Sequence, residues 1–310
     1  MSITKLMRAN GSRSDLRTRS GHLARVALGM VWLLAAAAKA VDPLEFAHEI
    51  ASYGLIGASP AAIAAPLVIA LEAVLGVTLL AGAVSGLAAI GSCVLMLAFL
   101  ALKIRSLLAG RTDPCGCFGS YLQTSPEWGI ALDVLFLAAG LVVLWGLGAR
   151  AGRRGAGPAL LTLATAVLSL AFAVASPRLP LDHFVTRLSV GRSLADLGLE
   201  GRVPGEGRRL VALLDLTDPA SVGIAARLEG LASATGAPAV VALTASTEEE
   251  QASFVWSASP TFEIKRVDRA VLKPLYRSLP RFFVVDGERV IALFDGAPPE
   301  ASDLLSLRSL

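Results

Sequence analysis

The chain has 310 residues, of which 54% are hydrophobic and 17% charged, and its net charge is +3. Soluble domains carry about 25% charged residues, so a wholly soluble protein is excluded, and so small a net charge gives no reason to expect a nucleic-acid partner. Only three cysteines are present, which excludes the disulfide framework of a small secreted protein.

From the N-terminus, Lys5, Arg8, Arg13, Arg17 and Arg19 make residues 1–21 a basic tail. Five apolar runs follow, at about 23–41, 62–80, 84–102, 128–147 and 158–175. Each approaches the ~20 residues that cross the hydrocarbon core of a membrane, so the lipid bilayer is the first expected partner. The first run also resembles a signal peptide, but further spans follow it, and Lys39 stands where small residues would be wanted. Residues 42–59 carry Asp42, Glu45 and Glu49 with no Lys or Arg, and read as a loop. Basic residues gather in the tail and at Arg150, Arg153 and Arg154; the positive-inside rule puts both in the cytoplasm, while the stretch 103–111 runs against that rule. The loop 110–127 and everything after Pro177 are then extracytoplasmic.

Beyond about Leu179 the composition becomes that of a soluble domain. Residues 209–216 read as a buried strand, 219–234 as a helix, 238–243 as a strand, 247–254 as a helix, 261–267 as a strand and 268–278 as a helix. Residues 281–285 and 290–294 flank Asp286-Gly287, a hairpin signal, and 299–307 closes the chain as a helix. The expected fold class is therefore a membrane α-helical bundle followed by a soluble α/β domain. The expected divisions are a cytoplasmic tail 1–21, a four-helix membrane domain 22–147, a basic linker with a fifth span 148–176, and an extracytoplasmic domain 177–310.

The sharpest local feature is the run Asp113-Pro114-Cys115-Gly116-Cys117-Phe118-Gly119. Two thiols one residue apart close only a small, strained ring, and Gly116 supplies the backbone freedom to form it. Such a disulfide is oxidising and can pass its oxidation to another dithiol. A structural staple is the competing reading, although so small a ring constrains little chain entropy. A metal site is not expected, because no other cysteine is near and His22, His48 and His183 are scattered. Cys93, midway along the third run, reads as a small buried residue. Lys39, Glu72 and Asp133 lie inside spans, where ionisable groups are costly and mark function. Lys39 meets Glu72 only by reaching inward, to orient a loop or relay a proton; the simpler expectation is that Lys39 snorkels outward while Glu72 bonds a neighbouring helix.

Lys39 with Asp42-Pro43, Tyr53-Gly54-Leu55, Pro66 with Glu72 and Gly76, and above all the CGCFG run resemble the MauE family of methylamine-utilisation membrane proteins, within the wider DoxX-like group. The resemblance covers about residues 22–147. It implies a four-helix membrane core, a role in the extracytoplasmic maturation of a disulfide-rich, thiol-containing client, and Cys115 and Cys117 as a redox pair. A membrane acceptor, for example a quinone, would re-oxidise that pair, and nothing in the sequence identifies it. The soluble part resembles the thioredoxin-like protein MauD that partners this family. Where a thioredoxin-like active site would read Cys-Pro-x-Cys, this chain has Asp218-Pro219-Ala220-Ser221, so both thiols are missing. Asp218 then reads as a helix N-cap with Pro219 at the first helical position, and Pro280 stands where the family has its cis-proline.

Two functions follow as expectations. The first is a membrane thiol–disulfide oxidoreductase, or its accessory, acting through Cys115 and Cys117. The second is a non-catalytic scaffold that presents the degenerate thioredoxin-like domain for binding. A transporter, resting on Glu72 and Asp133, is a weaker third.

Overall fold

The computed structural model describes residues 3–109, 126–148, 155–204, 206–233 and 238–307. It divides into two compact units, Met1–Leu179 and Pro180–Leu310. Cys115, Gly116 and Cys117 lie outside the described residues, as do Arg150, Arg153 and Arg154.

The first unit contains α1 (Ile3–Val41), α2 (Pro43–Ser52), α3 (Ala58–Ala81), α4 (Ser85–Leu108), α5 (Pro126–Leu147) and α6 (Ala156–Ala175). Every helix here except α2 holds a stretch long and apolar enough to cross a membrane, namely Asp15–Val41, Ala58–Ala81, Ser85–Leu108, Glu127–Leu147 and Ala156–Arg178. The unit is a multi-pass membrane domain. Leu34, Ile63, Val94, Leu135 and Leu168 point outward, as a lipid-facing surface requires. Two expectations need correction. The first helix begins near the N-terminus and includes the basic tail. The stretch after Asp42 is not all loop, because Asp42 accepts the Glu45 amide at 3.2 Å and Pro43 occupies the first turn, so a cap and a preset φ start α2.

Helices in lipid gain nothing from hydrophobic burial against one another, so close backbone approach between small residues holds them. Helix α1 packs against both α3 and α5, α4 against α5, and α6 against α3. Gly29 on α1 meets Gly76 on α3: a Cβ at Gly76 would lie 2.8 Å from Leu33 and 2.9 Å from the Gly29 carbonyl oxygen. Gly21 meets Gly146 on α5 in the same way. Trp32, Leu28, Leu75, Leu79, Met96 and Val143 fill the space between these crossings.

The second unit begins with the short α7 (Asp182–Val185) and continues β1 (Arg208–Leu213), α8 (Ala220–Ala232), β2 (Ala239–Thr244), α9 (Glu248–Ala258), β3 (Glu263–Arg266), α10 (Arg269–Leu272), β4 (Arg281–Asp286), β5 (Arg289–Asp295) and α11 (Ala301–Ser306). The sheet order is β3-β2-β1-β4-β5. β1 is parallel to β2 and antiparallel to β4, and β4 and β5 form the terminal hairpin. Alternation along the strands feeds two cores. Leu210, Ala212, Phe282 and Val284 pack with Ala225 and Leu228 of α8, Phe254 of α9 and Leu304 of α11. Val211, Leu213, Phe283 and Val285 pack on the other face with Leu188, Leu194, Leu197 and Leu199. This is a thioredoxin-like arrangement. The single helix expected over 268–278 is instead α10 followed by a 3₁₀ turn, Lys273–Leu275, since Pro274 has no amide to donate and its ring clashes with the preceding turn.

Between α8 and β3, Glu229 accepts the hydroxyl and the amide of Thr261, and these bonds hold its carboxyl below the ordinary 4.5. The stabilisation is fully present above that value and is lost as pH falls through the lowered one. Glu229→Gln should remove this part of the acid dependence of melting, lowering stability at neutral pH while leaving it nearly unchanged at acid pH, where the wild-type carboxyl is protonated. In the membrane unit, Gly76→Ala should cost about 1–3 kcal/mol by forcing α1 and α3 apart, whereas Gly157→Ala, whose Cβ meets nothing within 4 Å, should be neutral. Thermal unfolding in detergent measures both.

Candidate functional site

Antiparallel packing decides where the intramembrane charges meet. Side chains on a helix lean toward its N-terminus. Lys39, late in α1, leans back into the bundle, and Glu72 on the antiparallel α3 leans toward the opposite end, so the two converge. Counted from the Gly29–Gly76 crossing, Lys39 is ten residues away and Glu72 four, a gap of about 9 Å along the axis that the two side chains close. Lys39 Nζ donates to Glu72 Oε1 at 2.6 Å, with side-chain exposures of 2% and 0%. The ammonium also sits 5.1 Å from the Phe46 ring centroid and 5.4 Å from that of Phe99. The outward-snorkelling expectation for Lys39 is therefore overturned.

The same rule joins Lys103, near the end of α4, to Asp133 in the second turn of α5. They form a second buried ion pair at 2.6 Å, and Lys103 also donates to the Gly129 carbonyl at 3.1 Å. The sequence reading missed Lys103, having counted it among loop charges. The available signal was that Asp133, inside a span, needs a cation at the same depth on an adjacent antiparallel span. Lys39, Glu72 and Asp133 all line one cavity of about 20 Å³, walled by Trp32, Ala35, Met96 and Phe99. Trp32 is fixed by its indole N–H, which donates to Ser92 at 2.9 Å; Ser92 in turn donates to the Ala88 carbonyl. A cavity of that size has room for one water. Cys93 packs against Gly140 of α5, where a Cβ would come within 2.6 Å of its sulfur; it is a free thiol set between helices.

In the soluble unit, the loop after β1 closes on itself. Asp215 Oδ1 accepts both the amide and the hydroxyl of Thr217, and Ser221 donates its hydroxyl to the Asp215 carbonyl at 2.6 Å. Asp218 Oδ1 accepts the Ala220 amide at 2.9 Å, with Pro219 in helical conformation just ahead of α8. The Leu279–Pro280 peptide is cis. Arg281 pairs with Leu213 across the sheet, which sets Pro280 at the strand end from which the Asp215–Pro219 loop leaves. Arg281 and Arg277 share Asp182, and Arg281 also meets Asp295 at 2.7 Å.

Residues 17–146 match the family model of methylamine utilisation protein MauE. The match takes in both buried pairs, the cavity and the CGC run of the sequence, and leaves the soluble unit outside it. A secreted Mycobacterium tuberculosis disulfide oxidoreductase homologous to E. coli DsbE resembles the chain at 14% identity and a TM-score of 0.29, covering 39% of this chain and 96% of that one. The thioredoxin-like arrangement of the second unit lies in its sheet order, β3-β2-β1-β4-β5, with β4 antiparallel to β1. No curated protein sequence matches the chain.

In the MauE region, truncating one member of a buried pair strands the other. Glu72→Ala or Lys39→Met alone should cost about 3–5 kcal/mol, and the Lys39→Met/Glu72→Leu double variant should recover most of it. Membrane abundance and detergent melting temperatures of the four-member cycle measure the coupling. Additive costs would show that the pair does not act as one.

Proposed function

We propose that the chain is a membrane thiol–disulfide exchange protein, acting through Cys115 and Cys117 on an extracytoplasmic client. The observation that carries this reading is the buried Lys103–Asp133 pair, which ties together the two helices whose ends the CGC-bearing segment joins, inside the region that matches MauE. Gly116 gives the backbone freedom the ring needs. A client thiolate attacks one sulfur of the Cys115–Cys117 disulfide and forms a mixed disulfide. The client's second thiol then displaces it, so the client leaves oxidised and the pair is left as two thiols. The basic tail and the Arg150, Arg153 and Arg154 cluster favour an arrangement with the CGC segment and the soluble domain outside. Methylamine utilisation is the setting that the matching family's name suggests.

The second reading, a membrane scaffold, is favoured by the loop after β1, whose polar groups are occupied internally and which carries no thiol. In it the thioredoxin-like unit is a binding module, and the soluble chain beyond residue 179 contains no cysteine.

One experiment separates them. Cys115→Ser, Cys117→Ser and Cys93→Ser are compared for abundance in native membranes and for the alkylation-trapped redox state of extracytoplasmic proteins. Exchange requires normal abundance in all three, reduced clients in the first two, and no effect of Cys93→Ser. Normal abundance with fully oxidised clients in both loop variants overturns the exchange reading in favour of the scaffold.

A further inference from the structure

The Lys39–Glu72 pair leaves one polar atom over. Glu72 is fully buried, and its Oε2 has no hydrogen-bond partner among the described residues. Interiors almost always satisfy such an atom with protein or with water. Glu72 lines the 20 Å³ cavity together with Lys39 and Asp133, and a water bound there needs two to four polar partners. Three are at hand: Glu72 Oε2, the Asp133 carboxylate, and the Lys39 ammonium, which has three N–H donors. The remaining wall is aromatic or apolar, and the Trp32 N–H is committed to Ser92. The volume excludes any organic ligand, so the chemistry that fits is a single water between two carboxylates.

We propose that this cavity is a proton-relay site in which one bound water connects Asp133 and Glu72. The charges that face it are Lys39 from α1, Glu72 from α3 and Asp133 from α5, with Lys103 from α4 behind Asp133. A proton on the Asp133 carboxyl passes to the water oxygen as its O–H bond breaks. The water's own proton passes to Glu72 Oε2, and the water is regenerated. Each carboxylate keeps its lysine throughout, so moving the proton exchanges one lysine–carboxylate pair for another of the same composition. The net charge of the four groups does not change, which is what lets a proton move in a medium that penalises uncompensated charge. The relay stands on the membrane unit alone and does not rest on the exchange reading; if that reading fails, the site remains testable.

The test uses the full-length protein reconstituted in phosphatidylcholine vesicles. Infrared difference spectra between acidic and neutral pH should show a protonated-carboxyl band that Glu72→Gln removes and that shifts when the protein is transferred to D2O. Ala35→Val adds bulk at the cavity wall while keeping all four charged residues. It should slow deuterium exchange of that band at least tenfold, and Asp133→Asn should do the same. A high-resolution map of the wild-type protein should show water density between Glu72 and Asp133. Exchange at the wild-type rate in a folded Ala35→Val or Asp133→Asn protein overturns the relay. So does a wild-type band that never exchanges, or a cavity without water density.

Discussion

An ionised side chain in hydrocarbon must meet an opposite charge or water, and the membrane unit is arranged around that demand. Lys39 and Glu72 meet because α1 and α3 run antiparallel and their side chains lean toward each other. They remain within 2.6 Å because Gly29 and Gly76 let the backbones touch. A larger residue at that crossing would separate the helices that the pair spans. Lys103 and Asp133 repeat the device between α4 and α5, while Gly21 and Gly146 fix α5 against α1. Buried ion pairs are poor sources of stability, since well-packed apolar residues of similar volume do as well or better. Two of them side by side therefore point to register and chemistry more than to strength.

The soluble unit handles polarity differently. Its sheet is buried on both faces, and the loop where a thioredoxin-like protein would carry reactive sulfur spends its polar atoms on itself: Asp215 on Thr217, Ser221 on the Asp215 carbonyl, Asp218 on the start of α8. Ser221 is buried and donates to main chain, so its hydroxyl is a fastening. Close by in the chain, Arg281 links Asp295, Thr186 and the Leu275 carbonyl, which braces the turn that carries Pro280.

Much of this was legible in the sequence, for reasons that differ by element. The spans and strands were readable because burial imposes length on a membrane helix and alternation on a strand, as in Leu210 to Leu213. The three charges inside the spans stood out because hydrocarbon makes such residues rare. What they pair with was not readable, because pairing depends on which helices adjoin and on the lean of each side chain; Lys39 was expected to reach for the surface and Lys103 was counted with a loop. The helix α2 was missed although its signal was present, since acidic residues between spans were read only as topology. Pro274 lies inside the expected helix 268–278, and its missing amide is the reason the turn after α10 is 3₁₀.

Residues 110–125 join α4 to α5, and the Lys103–Asp133 bridge ties those helices together about two turns from that segment. The bridge also supplies a carboxylate. Asp133 faces the cavity on one side and Lys103 on the other. A purely mechanical clamp would be served as well by two leucines. A charged pair stands where an apolar one would serve stability as well, so its place there points to what the charges do rather than to strength.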